Sequence, residues 1–115
     1  MTNSGKNVFA IKVFDHNCDV CQHMSKHDRV TFESFEDIGY QEILLDDVIN
    51  HQNNLTKLRV YQLLEKYALN SDYTIDLPAY LLITPKGEYK SHHVGAATIV
   101  ELRDKIQSVL EAETE

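Results

Sequence analysis

Along the chain the spacing of apolar positions changes several times, and each change predicts an element. Residues 8–14 are apolar on both parities except for Lys12, the pattern of a strand covered on both faces as in a parallel sheet. Asp15, His16 and Asn17 then read as a turn or a helix-entry segment. The polar run that follows is compatible with a helix whose inner stripe is Met24, Phe32, Phe35 and Ile38 and which Gly39 ends, with the β-branched pair Val30 and Thr31 as a point where it would break. Residues 40–48 read as a second strand, with Ile43 and Leu45 on one face and Leu44 on the other. After a polar connection over 50–54, rich in capping residues, Leu55, Leu58, Tyr61, Leu64 and Ala68 recur at helical spacing and predict a helix over 55–69. A loop over 70–74 leads to an apolar strand at 79–84. Pro85, Lys86 and Gly87 turn it into a further strand at 88–93. Thr98 and Glu101 form a capping box, and Ile99, Leu102, Ile106, Val109 and Leu110 form one stripe of a last helix. The predicted order is β-α-β-α-β-β-α, with residues 1–6 and 112–115 expected to be loose.

Composition adds bounds rather than elements. With 115 residues, 43% of them apolar and 25% charged, the chain has the size of one domain with a single core, expected to span 1–115. A net charge of −7, with Lys and Arg scattered singly, excludes a basic nucleic-acid face. No apolar stretch is long enough for a membrane span, and the polar start does not read as a signal peptide. The expected location is therefore the cytoplasm, where a pair of cysteines is more often catalytic or metal-binding than structural.

Chemistry concentrates at Cys18-Asp19-Val20-Cys21, which holds the chain's 2 cysteines. A Cys-x-x-Cys can be a redox dithiol, half of a metal site or two buried small apolar residues. Its surroundings bear on the choice, since a strand ends at Phe14 and a helix-compatible run begins after Cys21. The unpaired N–H groups and positive dipole end of a first helical turn favour a thiolate. Cys18, at the helix start, is then the attacking thiol, and Cys21, one turn in and partly covered, the resolving one. His16 and His23 flank the pair and complete a soft ligand set acceptable to zinc or Cu(I), which keeps a metal-binding reading open.

An ordered set of features covering nearly the whole chain from Val8 onward resembles the thioredoxin-like superfamily. Phe14 followed by Cys18-Asp19-Val20-Cys21 resembles the family's strand-to-active-site junction. Glu65, Lys66 and Tyr67 ahead of Asp76-Leu77-Pro78 and the strand-turn segment to Glu88 resemble its second helix, cis-proline and hairpin. Val94-Gly95-Ala96 resembles the glycine turn before its last helix. The resemblance implies an α/β fold with a mixed central sheet and helices on both faces. It implies a thiol–disulfide oxidoreductase that reduces protein disulfides through Cys18 and Cys21 with no bound cofactor and no metal. Leu77 and Pro78, joined by a cis peptide, and Gly95 would meet an extended substrate. Partners would be protein disulfides and a reductant, either a reductase or a low-molecular-weight thiol; no nucleic acid or membrane is expected, and the protein would act as a monomer. The alternative is a thioredoxin-like module that binds a partner, zinc or Cu(I) without turnover.

The sequence departs from the family in places. Asn17 stands where thioredoxins proper carry tryptophan, and Asp19-Val20 separates the cysteines in place of Gly-Pro or Pro-Tyr. The N-terminal strand and helix of full-length thioredoxins are missing, and the residues after Gly95 lack a glutathione signature. Lys12 falls near the place of a buried family aspartate. A strand lysine is usually an edge or snorkelling residue, and the sharper option is a charge beside Cys21. Tyr61, Tyr67 and Tyr80 are expected in the core, and His92 and His93 on the solvated surface.

Overall fold

The computed structural model describes residues 8–36, 38–95 and 99–113. Its elements run β1 (Val8–Phe14), α1 (Asp19–Glu33), β2 (Ile38–Leu44), α2 (Leu45–Asn50), α3 (Leu55–Tyr67), β3 (Ala79–Ile83), β4 (Tyr89–Val94) and α4 (Ile99–Glu113). The strands form a mixed four-stranded sheet in the order β2-β1-β3-β4. β1 is parallel to β2 and antiparallel to β3, and β3 is antiparallel to β4. The unbroken apolar pattern of β1 follows from this central place, since its two parities feed two cores. Ile11 and Val13 join Ala79, Leu81 and Ile83 of β3 against Val48 of α2 and Val60, Leu63 and Leu64 of α3. Val8 and Ala10 join Tyr80 and Leu82 against Phe32 of α1 and Leu102, Ile106 and Val109 of α4. Helices therefore cover both faces of the sheet.

Three boundaries differ from the periodicity. α1 stops at Glu33, short of Gly39: Ser34 caps it, its N–H turned to the Phe32 and Val30 carbonyls and its hydroxyl donating to Thr31 O at 2.6 Å. Ile38 and Gly39 belong to β2 instead, and Gly39 lies under the Phe9 ring, where an added Cβ would sit 2.7 Å from Cδ1. β2 in turn ends at Leu44, and α2 takes residues predicted as strand. Asp46 and Asp47 in its first turn suit the positive end of a helix, and Val48 drops into the core. Asp47 also receives Lys57 Nζ at 3.1 Å and His51, and the Lys57 hydrogen bond holds its carboxyl below the usual range.

α3 starts where Asn54 Oδ1 accepts from the Lys57 N–H at 3.2 Å. Its inner face is led by Val60, Leu63 and Leu64, whereas Leu55 is 83% exposed and lines an open cleft with Phe9, Ile83 and Gly87. The β3–β4 turn closes through Gly87, whose φ of +86° is the left-handed region that glycine tolerates. α4 buries Leu102, Ile106 and Val109 and runs to Glu113, so its acidic end is helical further than expected. Thr98 of the capping box, Ala96 and the terminal residues 1–7 and 114–115 lie outside the described residues, as do the side chains of Met24 and Ile99.

Candidate active site

β1 delivers the chain to the dithiol through a tight turn. The Asn17 N–H reaches Asp15 Oδ1 at 3.3 Å and the Cys18 N–H reaches Asp15 O at 3.1 Å, which leaves Cys18 in extended backbone as the N-cap of α1. Its sulfur does what a capping oxygen does, accepting from the Cys21 N–H at 3.1 Å. Cys18 and Cys21 are joined in a disulfide. The two sulfurs are unequal: Cys18 is half-buried, whereas Cys21 is 1% exposed. A disulfide opens by thiolate attack on a sulfur the attacking group can reach, and here that sulfur belongs to Cys18. Asp19, exposed in the first turn, sets a carboxylate beside the same helix end.

The loops named from the sequence converge on the same end of the sheet. Ala79 pairs with Val13, so Leu77 and Pro78 precede β3 beside the point where β1 runs out toward Cys18. The Leu77–Pro78 peptide bond is cis, and Pro78 is buried. The Gly95 N–H donates to Pro78 O at 2.8 Å, and Gly95 has a φ of +92°. Leu77, Pro78 and Gly95 thus form one tied structure. His16 lies edge-on to Phe14 at 6.4 Å. Among the described residues no group of three or more His, Cys, Asp or Glu side chains is arranged to hold a metal ion.

Lys12 is neither at an edge nor snorkelling. It is 1% exposed, and its Nζ lies 2.7 Å from Asp28 Oδ2 and donates to the Cys21 carbonyl oxygen at 2.7 Å. Asp28, on α1, is fully buried and accepts from Tyr80 Oη at 2.6 Å. Burial pushes the Tyr80 phenol well above its ordinary range, and the Asp28 carboxylate adds to the shift. The register places Glu42 of β2 and Tyr80 of β3 directly opposite Lys12, and His93 of β4 opposite Tyr80. Glu42 is held by Tyr40 Oη at 2.8 Å and Arg29 at 3.0 Å. Burial, and then the hydrogen bond to Glu42, raise the Tyr40 phenol. A transverse row of polar side chains therefore runs across the sheet beneath α1. Sequence reasoning missed Asp28, Glu42 and the polar role of Tyr80; the one signal was Lys12 itself, a cation in an apolar strand that burial obliges to find a carboxylate.

No family model and no curated protein matches the chain. Solved structures do. A thioredoxin variant from Halobacterium salinarum superposes with a TM-score of 0.62 at 21% identity, over 92% of this chain and 77% of that one. A Schistosoma mansoni thioredoxin gives 0.64 at 17% identity, over 91% and 81%. Thioredoxin 1 of Thermosipho africanus gives 0.61 at 18% identity, over 93% and 99%. The fold is thioredoxin-like. On that thioredoxin-like frame the Cys18–Cys21 disulfide stands at the end of a central parallel strand and the start of a helix, where reactive groups of α/β sheets collect. No helix among the described residues is long and apolar enough to cross a membrane.

Proposed function

We propose that this chain is a thiol–disulfide oxidoreductase that reduces protein disulfides. The observation that carries the reading is the asymmetric disulfide at the N-cap of α1, with Cys18 half-buried and Cys21 buried. In the reduced protein the Cys18 thiolate, favoured by the free N–H groups of the first turn, attacks one sulfur of a substrate disulfide. A mixed disulfide forms and the other substrate sulfur leaves as a thiolate. The Cys21 thiolate then attacks Cys18 Sγ, which re-forms the Cys18–Cys21 bond and releases the second substrate thiolate. Leu77, Pro78 and Gly95 border the dithiol end of the sheet and are assigned to holding an extended substrate segment through backbone hydrogen bonds. A reductase or a low-molecular-weight thiol returns the pair to the dithiol, in a reducing compartment such as the cytoplasm, and the protein acts as a monomer.

Insulin reduction under a thiol reductant tests the activity directly. The wild-type chain should accelerate insulin precipitation, Cys18→Ser should abolish the effect, and Cys21→Ser should accumulate mixed disulfides through Cys18. No acceleration by the wild type would favour a module that binds without turnover. Equal trapping by the two variants would break the two-step assignment.

A further inference from the structure

Lys12 and Asp28 are a buried ion pair, 1% and 0% exposed, and Lys12 is hydrogen-bonded to the carbonyl oxygen of Cys21, a residue whose sulfur dithiol exchange requires to change charge. Two charges taken out of water are seldom more stabilising than apolar residues of the same volume, so packing does not account for them. Among the described residues the ammonium is engaged by Asp28 Oδ2 and by the carbonyl oxygen of Cys21 itself, and it lies 5.9 Å from the Tyr80 ring centroid. Tyr80 donates to that same Oδ2, and Asp28 Oδ1 is buried with no hydrogen-bond partner among the described residues. Lys12 and Cys21 also border one small cleft of about 240 Å³ with Phe14, Gln22 and Glu42.

We propose that Lys12 is the resident counter-ion of the Cys21 thiolate, and that Asp28 is a positioning residue that holds the ammonium beside that residue. The proposal rests on the dithiol-exchange reading. When an incoming thiolate attacks Cys18 Sγ, the Cys18–Cys21 bond breaks and its electron pair leaves on Cys21 Sγ. That sulfur is buried, and an unpaired thiolate is disfavoured there. The Lys12 ammonium meets the new charge. In the resolving direction the Cys21 thiol loses its proton to solvent. The thiolate, steadied by Lys12, forms the bond to Cys18 Sγ, and the substrate sulfur departs with the electron pair and is protonated by solvent. The other charged and titratable groups around this position are Asp28 and Arg29 on α1, Glu42 and Tyr40 on β2, Tyr80 on β3 and His93 on β4. Arg29 is already bonded to Glu42, whereas Lys12 is bonded to Cys21.

The test uses a Cys18→Ser background, in which Cys21 is the sole thiol and its ionisation is read from thiolate absorbance against pH. Lys12→Met should raise the Cys21 pKa by about one unit or more, since an opposite charge at this range shifts a pKa by about one to three. Asp28→Asn keeps the shape, releases the ammonium toward the sulfur and should lower it. Opposite signs from two changes that both loosen the pair do not arise from weakened packing. Because Lys12→Met strands a buried carboxylate, the double variant Lys12→Met/Asp28→Leu gives an apolar replacement that leaves no buried charge unpaired, and it too should raise the pKa. An unchanged value in the double variant, or a rise with Asp28→Asn, overturns the proposal. Wild type inactive on insulin with the predicted shifts intact supports the counter-ion and overturns only the exchange reading.

Discussion

Cys18 is the N-cap of α1, and the next residue is an exposed carboxylate. Asp19 suits the helix, because negative charge at an N-terminus complements the dipole, but it opposes a thiolate on its neighbour for the same electrostatic reason. Such effects at exposed sites are worth about 0.3–1 kcal/mol, so Asp19 offsets much of what the helix end contributes. Asp19→Asn should therefore lower the Cys18 pKa by about half a unit and make the pair more oxidising, because a stabilised thiolate favours the reduced form. The pH dependence of Cys18 alkylation in the two proteins checks it, and an equal or higher pKa in the variant would remove Asp19 from control of the site. The two cysteines were legible in the sequence because their environment is local: a strand ending at Phe14 and a helix beginning after it. For Lys12 a charge beside Cys21 was one of the options the sequence offered, and the structure places it there, whereas its partners Asp28 and Tyr80 were not legible, because no local pattern foretells that α1 and β3 bring them to one point.

Elements were most legible where one period persists and least where a short polar segment changes period. β3 and α4 matched their apolar patterns, whereas the α1–β2–α2 stretch was mis-divided, since Phe35 and Ile38 continue the α1 spacing although Ser34 has already capped the helix. β4 shows what pattern alone hides. Its residues are half-buried, and His92 lies 4.4 Å from the Tyr67 ring of α3 rather than in open solvent. Tyr67 stacks on Tyr89 at 4.5 Å, and Tyr89 Oη and His92 Nδ1 share a hydrogen bond of 2.7 Å. Burial, and then Lys105 and His93, lower the His92 pKa from 6.5. A histidine whose folded pKa is lowered contributes stability that is full above its ordinary value and lost as pH falls through the lowered one. The urea midpoint should thus fall between about pH 7 and pH 5, and His92→Phe, which keeps a ring on Tyr67, should flatten that part of the fall. An identical pH profile in the variant would assign the acid loss to other groups. Burial likewise raises the Tyr89 phenol, ahead of the effect of its Tyr67 neighbour, so the Tyr89 ring stays uncharged through this range.

At the scale of the whole molecule, the sheet separates two cores and leaves the dithiol at one end of both. The order of elements and the mixed sheet were legible because β1 is apolar on both parities, which only a central strand satisfies. Which helix covers which face was not, because strand alternation gives two faces without saying what packs on either. Val60 of α3 belongs to one core and Ile106 of α4 to the other, and both are fully buried. Val60→Ala should cost about 2 kcal/mol from its lost methyl groups. Ile106→Val should cost about 1 kcal/mol. Contacts between side chains do not cross the sheet from one to the other, so the double variant should lose about 3 kcal/mol, additive to about 0.5 kcal/mol. Neither residue lies at the dithiol, so insulin reduction by folded protein should stay at the wild-type rate. Urea unfolding of the four proteins decides the matter. A double variant that loses clearly less or more than the sum would mean that the sheet transmits repacking between its faces, and the polar row of Glu42, Lys12 and Tyr80, which spans three strands, would then be the first structure to examine for the coupling.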